Sequence, residues 1–188
     1  MPSMAKRRWL ERLRDSEQLR RLQLLENVPL FAGLNRRQLG KLLVKLFERE
    51  YRTSETIFVQ GEPGKALFIL LAGRVLICRT GHRAEEPLAT VTAGGYFGEL
   101  ALIDDQPRFA SARAEEPSVL LILYKSDFDD LIEGHRVIAI KVMGNLLKTL
   151  AGYVRKAQPQ GSGRAAMMSG PTTAKDRTAV ASERASRD

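Results

Sequence analysis

The chain has 188 residues, a length typical of one domain with tails, and its hydrophobic content of 44% is ordinary for a globular protein. The single cysteine, Cys78, excludes an internal disulfide framework and leaves no partner for a thiolate metal site. The net charge of +8 is spread along the sequence, so no segment is typical of a concentrated nucleic-acid-binding stripe. No apolar run or signal-like N-terminus predicts a membrane span or export, so we expect a cytoplasmic protein.

Residues 1–27 predict an N-terminal helical extension. Apolar residues between Trp9 and Leu13 share one face of a basic helix, and Asp15 with Gln18 forms a capping box for a second helix. The basic helix would dock on another part of a dimer or, alternatively, on a membrane surface or a partner helix.

Residues 28–156 predict the folded domain. Leucine spacing up to Leu46 predicts a turn and then a helix with Asn35 as its N-cap. After Leu46, short runs rich in Val, Ile, Phe and Tyr alternate with Gly- and Pro-containing connections, which is typical of a jelly roll or small barrel. The predicted strands are Phe47–Arg52, Thr56–Val59, Leu67–Leu71, Val75–Arg79, Leu88–Val91, Phe109–Arg113 and Val119–Tyr124.

The residue pattern changes twice toward the C-terminal end of the sequence. Apolar spacing with a period of 3.6 returns from Phe128 to Val154, so helices are predicted to close the domain. Residues 157–188 are polar with few large apolar side chains, which predicts a disordered tail.

One segment inside the strand region breaks the alternation of strand residues. Tyr96–Ile103 follows Gly94 and Gly95 and is predicted to form one helical turn. The first N–H groups of a helix and its positive dipole end suit a bound anion. We expect Gly98 to allow close approach of the backbone, because a Cβ there would hold a phosphate away.

Two charged residues complete this predicted anion site. Glu99 is a carboxylate beside an anion, so the role that fits is accepting hydrogen bonds from a sugar hydroxyl, with a cation nearby to keep it ionised. Arg108 can supply that cation, because a guanidinium grips two phosphate oxygens and stays charged. The pair indicates a phosphate attached to a sugar.

This segment resembles the phosphate-binding cassette of the cyclic nucleotide-binding domain family, which includes the catabolite activator protein and the regulatory subunits of protein kinase A. The family pattern of Phe-Gly-Glu, an apolar pair, a turn, then Arg and small residues matches residues 97–102 and 107–111. The resemblance extends over about residues 24–156. It implies an α+β fold: a jelly-roll barrel of about eight strands with a short phosphate-binding helix, flanked by N-terminal helices and a long C-terminal helix.

The resemblance also implies roles for individual residues. Glu99 would bind the ribose 2′-hydroxyl and Arg108 the exocyclic phosphate oxygens, while backbone contacts would come from residues 98, 100 and 101. The ligand would be cAMP or cGMP, with no metal, no other cofactor and no catalytic residue. The full set of ligand-binding residues implied is Phe97, Gly98, Glu99, Leu100, Ala101, Arg108, Phe109, Ala110 and Tyr153.

Phe109 departs from the family pattern, which usually has Ala, Ser or Thr directly after the arginine. Its ring could stack on the purine, fill the pocket or point elsewhere. Because it lacks the hydroxyl associated with guanine recognition, we expect cAMP over cGMP. A ring that filled the pocket would instead make the domain a ligand-free protein interaction module.

The C-terminal helices carry the predicted output. Ser126–Glu133 and Val137–Lys156 resemble the family's short and long terminal helices. A stripe on the long helix either covers the barrel mouth or forms a homodimer seam, and Tyr153 either stacks on the base as a lid or lies in that seam. Ligand would order the 97–103 turn, shift these helices and signal to an effector protein. The stripe consists of Ile140, Met143, Leu147, Leu150 and Val154.

Other classes of function have less support. His82 and His135 lack a Ser, Cys or carboxylate partner at motif spacing, so no enzyme is predicted. No helix-turn-helix follows the long helix, so direct DNA binding is not expected. Nucleic-acid binding by the basic helices stays an alternative, with an affinity that would fall steeply with salt. Cys78 is expected to be a packed strand residue.

Overall fold

The computed structural model describes residues 16–81 and 84–157. The predictions for residues 1–15, for His82 and for the tail from residue 158 onward lie outside these ranges. The chain divides into two units, Met1–Gly152 and Tyr153–Asp188, and residues 153–157 are the described part of the second unit. The features below belong to the first unit unless stated.

Eight strands form the centre of the described structure. Each of the seven predicted strands overlaps an observed one, and the two-residue strand β6 was not predicted. Tyr96 and Phe97 are a strand because they pair with Ile69 and Phe68, so the helical turn begins later than the sequence predicts. The strands are β1 (Phe47–Tyr51), β2 (Thr56–Phe58), β3 (Ala66–Ala72), β4 (Arg74–Thr80), β5 (Glu85–Thr92), β6 (Tyr96–Phe97), β7 (Ser111–Ala114) and β8 (Ser118–Tyr124).

The strands form two antiparallel sheets of four, in the orders β1-β8-β3-β6 and β2-β7-β4-β5. The expected jelly-roll fold is confirmed. Among the described strands, however, the pairing closes no barrel, so the expected barrel is a sandwich of two sheets. β7 also starts two residues later than predicted, which leaves Phe109 and Ala110 in a bend before the strand.

β3 lies at the centre of the fold and is buried on both faces. Side chains of a strand alternate between faces, so Leu67 and Ile69 pack against the helices while Phe68 and Leu70 pack between the sheets. The domain therefore has three layers, with helices on the β1-β8-β3-β6 sheet and the second sheet on its other side. The phosphate turn follows β6, the strand that pairs with β3.

Four helices cover the outer face of that sheet. Asn35 caps α2 as predicted, since its side chain accepts a hydrogen bond from the Gln38 N–H and the Gln38 side chain accepts one from the Asn35 N–H. A 3-10 turn, Pro29–Phe31, precedes α2. The helices are α1 (residues 16–26), α2 (Arg36–Leu43), α3 (Lys125–Gly134) and α4 (Arg136–Ala157).

α4 packs on the core through a face that the sequence analysis did not select. Ile138, Val142 and Leu146 are buried among the helix-side core residues. Ile140 and Leu147 of the predicted stripe are 68% and 66% exposed. The proposal that the stripe covers the barrel is therefore wrong for these residues, because a helix with 3.6 residues per turn places the two sets on different faces.

Polar residues of α4 hold the loop before α2. The Lys141 ammonium donates to the Gly33 carbonyl at 2.7 Å, and the Asn145 amide donates to the carbonyls of Leu30 and Ala32 at 3.1 and 2.9 Å. These bonds tie the start of the domain to its last helix.

Residues Arg136–Arg155 of α4 are long and apolar enough to cross a membrane, by length and composition only. The sequence predicts no membrane span. A helix that packs on the core of a soluble protein can have this length and composition, and one face of α4 is buried in the core.

Candidate functional site

The predicted anion site is a tight turn at the edge of the sandwich. Gly98 follows β6 with φ of 74° and ψ of 18°, a left-handed conformation that favours glycine. Residues Glu99–Leu102 then form one 3-10 turn. The first N–H groups of a helical turn point out of its N-terminal end, a direction that suits an anion.

Gly98 is required for a different reason than the sequence suggests. A Cβ at this position would lie 2.7 Å from Nη1 of Arg108 and 3.2 Å from the Ala66 carbonyl oxygen. The absent side chain therefore makes room for the guanidinium as well as for a ligand. Gly98 and Arg108 form one structural unit although nine residues separate them.

Two backbone carbonyls and an aromatic ring hold Arg108. Its Nη1 donates to the Gly98 carbonyl at 3.2 Å and its Nη2 to the Ala66 carbonyl at 2.9 Å. The guanidinium carbon lies 4.1 Å from the centroid of the Phe58 ring, a cation–π distance. These contacts fix the orientation of the side chain.

The environment of Arg108 suits an incoming anion. Its Nε is buried and has no hydrogen-bond partner among the described residues. Burial lowers the pKa of Arg108 below its ordinary value, while the charges of Glu62 and Glu99 act in the opposite direction. A buried N–H without an acceptor is costly, and an anionic oxygen would satisfy it with a charge-assisted bond.

Backbone bonds join the two loops that carry the site. The Gly61 N–H donates to the Arg108 carbonyl at 2.9 Å, and the Arg108 N–H donates to the Glu62 carbonyl at 2.7 Å. One residue further on, Pro63 and Pro107 form an isolated bridge. The arginine is therefore anchored through its main chain as well as its side chain.

Comparisons with known proteins agree with this geometry. Residues 48–135 match the family model for the cyclic nucleotide-binding domain. The cyclic AMP receptor protein of Thermus thermophilus is 35% identical over 134 residues, which are 71% of this chain and 60% of that protein.

Residues 48–135 of this chain belong to the cyclic nucleotide-binding domain family.

Two further relatives extend the comparison. A cAMP-dependent protein kinase regulatory subunit of Emericella nidulans is 36% identical over 108 residues, 57% of this chain and 26% of that protein. The crystal structure of the Thermus thermophilus catabolite activator protein superposes with a TM-score of 0.63 at 37% identity, covering 69% of this chain and 59% of that one. The chain thus spans about 60% or less of the length of these relatives.

The remaining residues of the turn are mostly buried. Glu99 is 5% exposed, and its charge reaches Arg108. Ala101 packs against Gly64, where a Cβ would approach the Ala101 methyl to 3.1 Å. Phe97 stacks on Phe68 between the sheets, with ring centroids 5.4 Å apart. Leu100 is partly buried, and Ala110 is buried.

Phe109 neither fills a pocket nor lies inside the domain. Its ring is 61% exposed, and the guanidinium carbon of Arg79 lies 4.0 Å from the ring centroid. The prediction that the ring fills the pocket is therefore wrong, and stacking on a purine stays a prediction.

Tyr153 lies in the second unit, where it is partly exposed at the end of α4. Its assignment as a lid on the base stays a prediction. A different tyrosine, Tyr96 of β6, links the strand that leads into the turn to α4 within the first unit. The Tyr96 hydroxyl forms a hydrogen bond of 2.8 Å with the Thr149 hydroxyl.

Several residues that build the site were missed from the sequence. Phe58 and Phe68 read as ordinary strand residues, and nothing in their spacing indicates that a guanidinium rests on Phe58. Glu62 carries a weak signal, as a carboxylate beside the glycines of a turn. Among the described residues, no group of three His, Cys, Asp or Glu side chains is placed to hold a metal ion.

Proposed function

We propose that this domain binds a cyclic nucleotide, cAMP in preference to cGMP, and acts as a regulatory sensor. The observation that carries the proposal is the half-buried Arg108 guanidinium beside the Gly98 turn, which two carbonyls fix and whose buried Nε has no hydrogen-bond partner among the described residues. A phosphodiester anion supplies the acceptor that this arrangement lacks.

Each residue of the turn has a defined task in this proposal. Arg108 binds the phosphate oxygens together with N–H groups of the Glu99–Leu102 turn. Glu99 accepts a hydrogen bond from the ribose 2′-hydroxyl, a neutral donor that suits a buried carboxylate. Two relatives whose names specify cAMP support the choice of ligand, as does the absence of a hydroxyl at Phe109.

Calorimetric titration of the purified protein with cAMP and cGMP tests the proposal. We expect saturable binding of both, tighter for cAMP, and a rise in melting temperature, because a ligand that binds only the folded state stabilises it. If the wild-type protein gives neither heat of binding nor a thermal shift at millimolar ligand, the proposal is contradicted. The alternative, a ligand-free protein interaction module, would then stand. The exposed Phe109 ring removes the observation that favoured that module.

The signal passes from the turn to the helices through two contacts. Leu102, at the end of the turn, lies in the same core cluster as Phe128 of α3 and Val142 of α4. The Tyr96–Thr149 hydrogen bond is the second contact. Ligand bound at the turn shifts the helices between two arrangements.

The Tyr96–Thr149 bond can be tested by replacing Tyr96 with phenylalanine. Ligand is expected to slow amide hydrogen exchange in both the turn and α4 of the wild type, and to slow it less in α4 of Tyr96→Phe, in which only the Leu102 contact remains. The matched control is Tyr124→Phe, because Tyr124 is exposed and lies at the end of β8. Equal protection of α4 in wild type and Tyr96→Phe would show that the hydroxyl does not transmit the change.

The exposed face of α4 is proposed to pair with a second copy of the chain. Val137, Ile140 and Leu147 are each at least 60% exposed, an arrangement suited to a two-helix seam. In sedimentation velocity we expect a dimer that Leu147→Glu dissociates, whereas Val44→Glu, at another exposed apolar residue, leaves it intact. A wild-type monomer at high concentration would contradict the seam.

The proposed output is an effector protein in the cytoplasm.

A further inference from the structure

The Arg79–Phe109 stack is the feature that the proposed phosphate site does not use. Phe109 directly follows the phosphate-binding arginine in the chain. The guanidinium of Arg79 covers the ring at 4.0 Å, yet the phenylalanine is still 61% exposed. One side of the ring is therefore occupied by a cation, and much of the rest is open.

The position of Arg79 on β4 directs it toward the ligand site. Val75 and Ile77, four and two residues before Arg79, lie in or against the core between the sheets. The β4–β5 pairing shifts between Ile77 and Cys78, but the β4–β7 register is regular through Cys78, so alternation along β4 places Arg79 on the same face. Arg79 therefore extends the inner face of the sandwich beyond its apolar part. That inner face also contains Phe58, the ring on which Arg108 rests.

Arg79 does not use the carboxylate nearest to it across the sheet. Glu86 lies directly opposite Arg79 in the β4–β5 register, where oppositely charged residues usually pair. Among the described residues no ion pair involves Arg79, and the Glu86 carboxylate lies beside Gly81. The Arg79 guanidinium stacks on the Phe109 ring and does not pair with the Glu86 carboxylate.

A purine matches both parts of this stack. Aromatic rings and guanidinium planes are the groups on which proteins stack nucleobases. The base of a cyclic nucleotide is joined to the ribose that carries the phosphate, so a phosphate on Arg108 brings the base close to residue 109.

We propose that Arg79 and Phe109 form the base-recognition platform of this domain, with the Phe109 ring stacking on the purine and Arg79 supporting the ring from its other side. The inference rests on the proposed function, since the phosphate on Arg108 positions the base. Stacking on the Phe109 ring provides affinity for purines although residue 109 has no hydroxyl group.

The test is titration of cAMP and cUMP into wild type, Phe109→Ala, Phe109→Tyr and Arg79→Gln. Loss of one stacking ring is expected to weaken cAMP binding about 5- to 150-fold. We expect a smaller loss for cUMP, because a pyrimidine offers less surface to the ring, and retention of cAMP binding by Phe109→Tyr. Arg79→Gln should weaken cAMP binding about 2- to 10-fold by removing the cation–π support.

Matched controls are Phe47→Ala, which removes a comparably exposed ring from the other sheet, and Arg74→Gln, which removes a charge from the same strand. Both should bind cAMP as the wild type does. Unchanged or tighter cAMP binding by Phe109→Ala, or equal losses for cAMP and cUMP, would overturn the platform while the sensor function stands. A wild type that binds neither nucleotide would overturn the proposed function and the platform with it.

Discussion

Arg108→Leu is expected to weaken cAMP binding by at least 30-fold, which corresponds to a loss of about 2 kcal/mol or more for removing one partner of a buried charged contact. Leucine offers no donor to the phosphate and cannot form the cation–π contact with Phe58. Arg108→Lys should fall between leucine and the wild type, because an ammonium keeps the charge and loses the planar fork. Calorimetry measures each affinity.

The control for this prediction is Arg113→Leu. Arg113 lies on β7, is partly exposed and pairs with Glu85 rather than with the turn. Its replacement should leave cAMP affinity unchanged, and circular dichroism confirms that each variant folds. If Arg108→Leu is folded and binds cAMP as tightly as the wild type, the phosphate does not lie on this arginine.

Gly98→Ala is expected to lose both stability and ligand binding. A left-handed alanine costs about 1–2 kcal/mol, and the new Cβ would displace the Arg108 guanidinium that lies 2.7 Å from its position. We expect a lower melting temperature and at least a tenfold weaker affinity for cAMP, because the arginine can no longer bond to the Gly98 and Ala66 carbonyls together.

Gly94→Ala is the control that separates backbone strain from displacement of the Arg108 guanidinium. It also has a left-handed backbone, with φ of 85°, but a Cβ there would meet nothing within 4 Å. Gly94→Ala should therefore lower the melting temperature by an amount similar to that expected from backbone strain in Gly98→Ala, and it should leave cAMP affinity unchanged. If both variants lose affinity equally, backbone strain and not the displaced arginine accounts for the loss.

Local chemistry explains why much of the site could be predicted. Gly98 and Glu99 are adjacent in a turn, and Arg108 follows after a short loop, so their residue types and spacing carry the signal. Short runs of strand-forming residues likewise predicted seven strands, and an asparagine before the leucine pattern of a helix predicted the Asn35 cap, because these features depend on near neighbours in the chain.

Contacts between distant parts of the chain could not be predicted in the same way. β6 is a strand only because β3 offers it a partner. Phe109 lies in a bend rather than in β7, and only the structure shows that Arg79 covers its ring. The stripe on α4 was found from its spacing, but spacing alone does not say which of two apolar faces meets the core.

The anchoring of Arg108 has a consequence for folding. The Ala66 carbonyl that accepts its hydrogen bond lies 42 residues earlier in the chain, and Phe58 lies earlier still. Closing a loop of this length costs entropy, which is offset only when the sandwich is complete. We therefore expect the site around Arg108 to form late in folding, together with other contacts between residues far apart in the sequence. A peptide containing residues 96–111 alone would therefore have the sequence of the cassette without a preorganised guanidinium.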